Sequence, residues 1–123
     1  MKKTLQSALL VLPLVLASAT PGLARDYYGA IAYSPNTHAM GWSYDYATRW
    51  EAENRAMAEC RSRAGGCRIA TWFHNACGAV AYGPRGWGAD WGNDRWQAER
   101  KATRRCSQHS HSCAPKRWVC TTR

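Results

Sequence analysis

Small and larger apolar residues alternate along Tyr28-Gly-Ala-Ile-Ala-Tyr33 and again along Cys77-Gly-Ala-Val-Ala-Tyr82, the period of two that a strand imposes. Met40, Trp42, Tyr44 and Tyr46 alternate in the same way with Gly41, Ser43 and Asp45. Turn chemistry at Pro35-Asn36, and at Gly83-Pro84-Arg85-Gly86 in the second half, predicts that neighbouring strands form antiparallel hairpins. The period then changes. Ala52, Ala56 and Cys60 recur at helical spacing, as do Ala98, Ala102 and Cys106, which predicts two helices that each turn a narrow stripe of small residues to a sheet. Thr48 before Glu51, and Asp94 before Gln97, place a capping residue three positions ahead of a Glu or Gln at the start of each run. Gly65 and Gly66 end the connection after the first helix, and Ser107 to Ser112 take that place in the second. The Cys67-to-Phe73 and Cys113-to-Val119 stretches, each with Trp five residues after its first cysteine, read as third strands.

These elements repeat. From Arg49 against Arg95 to Trp72 against Trp118 the two halves keep an offset of 46 residues, which drifts to 47 and then 49 toward the start of the unit. The drift is read as a shorter loop in the second copy. The predicted fold is α+β: two tandem ββαβ units, at about 27–75 and 76–121, packed with pseudo-twofold symmetry as one disulfide-stabilised domain over residues 25–123, with the helices on a curved sheet. About 100 residues are too few for two independent cores, so the copies are expected to share one.

Composition shapes that core. No leucine follows Leu23, and the later aliphatic residues are Ile31, Ile69, Val80 and Val119, so seven Trp, six Tyr, Phe73 and many Ala must supply the bulk. Trp50 with Trp96, and Trp72 with Trp118, occupy equivalent positions and are assigned to the shared core. Cys60 and Cys67 recur as Cys106 and Cys113 at the same separation, which favours two local bridges and leaves Cys77 to pair with Cys120. On a chain-entropy model the local bridges contribute about 2.5 kcal/mol each and the long one about 4 kcal/mol. Met1-Lys2-Lys3, the apolar run Ala8 to Ala17 and small residues at Ala17-Ser18-Ala19 read as a signal peptide over residues 1–24, cleaved after Ala19 or Ala24. The mature chain is then expected to be secreted or periplasmic, monomeric and without a membrane span.

The GAIAYSP and GAVAYGP strands, GWSYDY, WGADWG, the R-x-x-A-E helices ending in Cys, and WFHNACGA between the copies resemble the secreted bacterial family called domain of unknown function 4189. The resemblance runs from about Tyr27 to Cys120. It implies a small exported bacterial protein with no established catalytic mechanism or cofactor, and it carries over no functional residue.

Charge separates the copies. Without Lys2 and Lys3 the chain holds 15 Lys and Arg against 8 Asp and Glu, and residues 76–123 contribute nine of those cations and three of the acids. Arg100, Lys101, Arg104 and Arg105 on the second helix, with Lys116 and Arg117 entering the last strand, form the candidate ligand-binding set for an anionic glycan or protein surface. The competing account is a solvated helix face. No nucleic-acid recognition motif accompanies the cations, so nucleic acid is not the expected partner. Trp42, Trp87 and Trp91, with Met40, Tyr44 and Tyr46, are weighed as a stacking platform for sugar rings and assigned to packing.

Catalysis finds little support. Arg49 with Glu53 and Arg95 with Glu99 recur at i, i+4 and read as helix-surface ion pairs. His109 and His111 lie between two cysteines expected to be bridged, so no metal or cofactor is expected. His38 has no repeated partner. The expected function is an exported binding module without catalytic residues. The alternatives are a small hydrolase using Asp45, Asp90 or His74, and a purely structural scaffold.

Overall fold

The computed structural model of the protein describes residues 26–122 together with Leu10, Val11 and Pro13. The signal-peptide reading and its two cleavage points lie outside the described residues. The order of elements is β1 (Tyr28–Tyr33), β2 (Met40–Tyr46), α1 (Arg49–Arg61), β3 (Arg68–His74), β4 (Cys77–Tyr82), β5 (Trp87–Gly92), α2 (Arg95–Ser107) and β6 (Ala114–Cys120). This is the predicted ββαβ unit, twice. Both helices start where the capping pattern places them: the Thr48 hydroxyl accepts from the Glu51 N–H at 3.2 Å, and the Asp94 carboxylate from the Gln97 N–H at 2.8 Å.

The strands form two separate antiparallel sheets, ordered β2-β1-β3 and β5-β4-β6, and not the single curved sheet expected. Each first strand is flanked on both sides by strands of its own unit, so every strand pairing is made within one unit. The units join by stacking instead. Ala30 and Ala32 of β1 meet Ala52, Ala56 and Cys60 of α1, whereas Ile31 and Tyr33 point the other way and pack with Phe73, Val80 and Val119. Ala79 and Ala81 of β4 meet Ala98, Ala102 and Cys106 in the same manner. The layers therefore run α1, first sheet, second sheet, α2, with the shared core between the sheets.

Close contacts at two pairs of glycines set these spacings. A Cβ on Gly41 would stand 2.2 Å from the Ala56 carbonyl oxygen, and one on Gly88 would stand 2.2 Å from the Cys106 nitrogen, so each helix rests its backbone on a glycine of its own hairpin. Between the sheets, a Cβ on Gly29 would come within 2.3 Å of the Phe73 ring and one on Gly78 within 2.5 Å. Gly29 and Gly78 are equivalent residues, and so are Tyr33 and Tyr82, whose rings stack at 6.0 Å. The pseudo-twofold axis therefore runs along the central strands, through Phe73 at one end and the tyrosine pair at the other. Both helices begin at the Phe73 end. Burial of Tyr33, with Tyr82 beside it, pushes its hydroxyl up to about 12, so the ring stays neutral in the core.

The three bridges, Cys60–Cys67, Cys106–Cys113 and Cys77–Cys120, are those the repeat favours. The register drift has two sources, one of them unexpected. The β1–β2 loop is two residues longer than the β4–β5 loop, but the remaining residue is Asp45, held at φ 61° where the β1–β2 register slips between Tyr28 and Ala30. Its carboxylate accepts from the Thr122 N–H at 2.9 Å and ties the end of the second unit to the first. Pro115, which has no N–H to give a ladder, is admitted because β6 is an edge strand.

Phe73 is 1% exposed and fills both sheets at once, whereas its equivalent Val119 faces only part of the same core. Phe73→Ala is expected to lower the unfolding free energy by about 3–5 kcal/mol in urea titrations, and Val119→Ala by less than half as much. Equal losses would show that the two residues carry equal weight.

Candidate functional site

The six predicted cations do not form one surface. On α2, Arg100 and Arg104 lie opposite the buried stripe of Ala98, Ala102 and Cys106 and are exposed. Among the described residues neither pairs with a carboxylate. Lys101 and Arg105 flank that stripe on the β5 side and turn to Asp90, at 3.6 Å and 2.7 Å. Lys116 reaches the Tyr82 ring at 4.9 Å, and the Arg117 guanidinium lies 3.9 Å from the centre of the Trp42 ring, on the first unit. Strand order explains the division: β4 stands between β5, toward which the helix cations lean, and β6, which carries the other two.

Asp90 is the organising group. Its side chain is 12% exposed, and burial pulls its carboxyl upward. The hydrogen bond from Arg105, the Trp91 N–H and the charges of Lys101 and Arg105 outweigh that and hold it below the ordinary carboxylate value. Arg105 donates through Nε, which leaves both terminal nitrogens of the guanidinium without an acceptor among the described residues. Arg105 also borders three adjoining recesses. One lies over Lys101, Arg104 and Gln108, a second over Arg85, Trp87 and His109, and the third opens between edge strands β3 and β5.

That third recess is a cleft of about 620 Å³ lined by Ala70, Thr71 and Phe73 from β3 and by Ala89 and Trp91 from β5, with Trp72, His74, Asp90 and Arg105 at its margin. Strand register puts Thr71, Phe73, Ala89 and Trp91 on the faces that look toward the opposite sheet, opposite Ile31, Gly29, Val80 and Gly78 respectively. Trp91 is 46% exposed, with the Lys101 ammonium 4.7 Å from its ring centre. Apolar ring, hydroxyl, imidazole and guanidinium thus meet in one groove.

The tryptophans correct the expected aromatic core. Trp50 and Trp96 are 73% and 60% exposed, and Trp72 and Trp118 also stand at the surface. The reason is the spacing already described: a helix resting its backbone on glycine leaves no room for an indole beneath it. Trp50 and Trp96 lie two residues before Ala52 and Ala98 and so point outward. Trp72 and Trp118 sit on edge strands, where Arg49 and Arg95 cover their rings at 4.1 Å and 4.4 Å. Of the platform considered earlier, Met40, Trp42 and Trp87 pack against the core, while Tyr44 and Trp91 are exposed. The exposed aromatic residues thus form three equivalent pairs, Trp50 with Trp96, Trp72 with Trp118 and Tyr44 with Trp91. Repetition marked these positions in the sequence but did not say which way the rings face.

Of the hydrolase candidates, His74 and Asp90 border that cleft and Asp45 lies away from it. Asp45 holds Thr122, Asp90 holds Arg105, and His74 meets Asp26 at 2.8 Å while stacking on Tyr28. Among the described residues no hydrogen bond joins any two of the three. His111 contacts the Ser112 hydroxyl at 3.0 Å, His38 stacks on Tyr82 at 4.0 Å, and no three His, Cys, Asp or Glu side chains converge on a metal position among the described residues.

Because the Asp90 carboxyl is held low in the folded chain, its contribution to stability is present above the unfolded carboxyl value of about 4 and is lost as pH falls through the lower folded value. Asp90→Asn is therefore expected to lower the melting temperature at neutral pH and to flatten its decline in acid. An acid profile identical to that of the parent chain would show that the pair with Arg105 carries no stability.

Residues 28–120 match the family model described as "Domain of unknown function (DUF4189)". The chain is similar to Protein Rv1269c and Protein MT1307 of two Mycobacterium tuberculosis strains and to Protein Mb1300c of Mycobacterium bovis. Each is 48% identical over 62 residues, which covers 50% of this chain and 47% of the relative. The chain thus spans about half the length of these relatives. No solved structure matches it. Among the described residues no helix is long and apolar enough to cross a membrane, and the three disulfides fit an extracellular or periplasmic location. With the family model covering all eight elements of the doubled unit, the chain belongs to the domain of unknown function 4189 family.

Proposed function

We propose that this chain is an exported, monomeric binding module that captures anionic polymers, glycans foremost, on the outer face of α2. The observation that carries the reading is the divergence of two otherwise matched helices. Where α2 has Arg100, Lys101, Arg104 and Arg105, the equivalent residues of α1 are Asn54, Arg55, Ala58 and Glu59. In α1 the single cation of that set, Arg55, is neutralised by Glu59 at 2.6 Å. In α2, Arg100 and Arg104 have no carboxylate partner among the described residues, and Asp90 anchors Lys101 and Arg105 beside them. Solubility alone does not require an unpaired row on one helix of a duplicated pair.

Polymer rather than small-ion capture follows from the geometry. Exposed cations in high dielectric are individually weak, and a chain that bears many anions sums several of them. Lys116 and Arg117 lie on another part of the surface, over Tyr82 and Trp42, and extend the contact only for a ligand long enough to reach β6.

The test is retention of oxidised chain, from residue 25 onward, on immobilised heparin and polygalacturonate under a salt gradient, with neutral dextran as control. Arg100→Glu with Arg104→Glu is expected to elute at markedly lower salt, whereas Lys116→Gln, which removes one cation away from α2, lowers it by less. Elution of the double variant at the parent salt concentration overturns the reading.

A further inference from the structure

We infer that the cleft between β3 and β5 is a binding site for a carboxylate-bearing sugar ring, and that it arose because the two halves of the duplication diverged at their sheet edges. The pseudo-twofold axis relates the β3–β5 edge to the β6–β2 edge, so each cleft residue has a counterpart. Thr71 corresponds to Arg117, and Ala89 corresponds to Trp42. At the β6–β2 edge these two large side chains stack on each other at 3.9 Å, the exposed Arg117 lying over the half-buried Trp42, with Arg63 5.7 Å from the same indole, and so cover that edge. At the β3–β5 edge a threonine and an alanine stand in their places, beside Ala70, and about 620 Å³ is open. One edge is covered and its twin is a groove.

What lines the groove selects the ligand. Trp91, 46% exposed, offers an indole against which the C–H face of a six-membered ring packs. Phe73 forms an apolar floor, and the Thr71 hydroxyl and His74 supply polar contacts for ring hydroxyls. At the margin, Asp90 holds Arg105 by Nε and leaves its two terminal nitrogens to engage a carboxylate end-on, with two hydrogen bonds. Asp90 is thus a positioning residue, and Arg105 the contact. The volume lies within the usual range for small-ligand sites and suits one or two linked sugar rings, whereas a purely apolar ligand would leave the polar margin unpaired. This inference shares Arg105 with the polymer reading and rests on that reading for the acidic character of the ligand; the ring site itself is separate from Arg100 and Arg104.

Ala89→Trp copies into the cleft the residue that covers its twin, without changing the charge. Titration of the parent chain with digalacturonate is expected to quench or shift tryptophan fluorescence, with neutral digalactose binding at least about tenfold more weakly. Both Ala89→Trp and Trp91→Ala are expected to weaken digalacturonate binding by about tenfold or more while retention on heparin persists. Arg100→Glu with Arg104→Glu should do the reverse, losing heparin and keeping the disaccharide. Backbone amide spectra of each variant establish that it is folded, and Trp91→Ala supplies the answer if the larger substitution is not accommodated. Digalacturonate binding at parent affinity in both cleft variants, equal affinity for digalactose, or no binding of either sugar to the parent chain overturns the inference. Loss of heparin retention in the Arg100 and Arg104 variant bears on the polymer reading alone.

Discussion

One ring holds the two halves together. Phe73 lies on the pseudo-twofold axis, against Gly29 of its own sheet and Gly78 of the other, at distances that leave no room for even a methyl group on either glycine. A twofold axis passing through a packed core poses a steric problem, since any large residue placed there by both copies would meet itself. The molecule resolves this by using Phe73 once and the smaller Val119 as its equivalent. Sheet separation, and with it the breadth of every groove between the sheets, follows from that choice. The interior behaves as a close-packed solid in which one ring sets the positions of its neighbours.

The same economy of space governs the outer layers. Helices that rest on Gly41 and Gly88 bury only alanine and cysteine, so the large aromatic residues that do not lie between the sheets stand at the surface and the sheet edges. Arginine and lysine then cover several of the exposed rings, as with Arg49 on Trp72, Arg95 on Trp96 and Trp118, and Lys101 on Trp91. A small domain with little aliphatic material thereby depends on three disulfides and close backbone contact, and displays indoles flanked by cations. That surface suits ligands with both an apolar face and negative charge.

Duplication followed by divergence supplies the asymmetry that binding needs. Where the copies agree, in the capped helix starts, the alanine stripes and the local disulfides, the residues maintain the fold. Where they differ, the differences fall on one side: the cations of α2, Asp90 in place of Ser43, and the small residues Ala89 and Thr71 in place of Trp42 and Arg117. Ser43 donates to the Ala52 carbonyl at 2.6 Å and helps to seat its helix, whereas Asp90 gathers two cations of α2 at the β5 edge.

Much of this was legible in the chain itself, because it is written in local and repeated signals. Periods of two and of 3.6, the Thr48 and Asp94 caps, and the repeated cysteine spacing depend on contacts within a few residues or on comparison of one copy with the other. Element order, both helix starts and the favoured disulfide pairing follow from them. The direction of the tryptophans does not, since Trp50 precedes Ala52 by two residues and only the glycine-limited spacing under α1 shows that the ring cannot turn inward. Nor does the division of the cations into a row held by Asp90 and a free row, which requires knowing that α2 leans toward β5. The stacking of two sheets about Phe73, and the covering of one edge while its twin stays open, rest on residues more than 40 positions apart, such as Gly29 with Phe73 and Trp42 with Arg117. Local sequence determined the parts of this protein, and tertiary packing alone decided which of its aromatic and charged groups meet, because those contacts form between surfaces that only the folded units create.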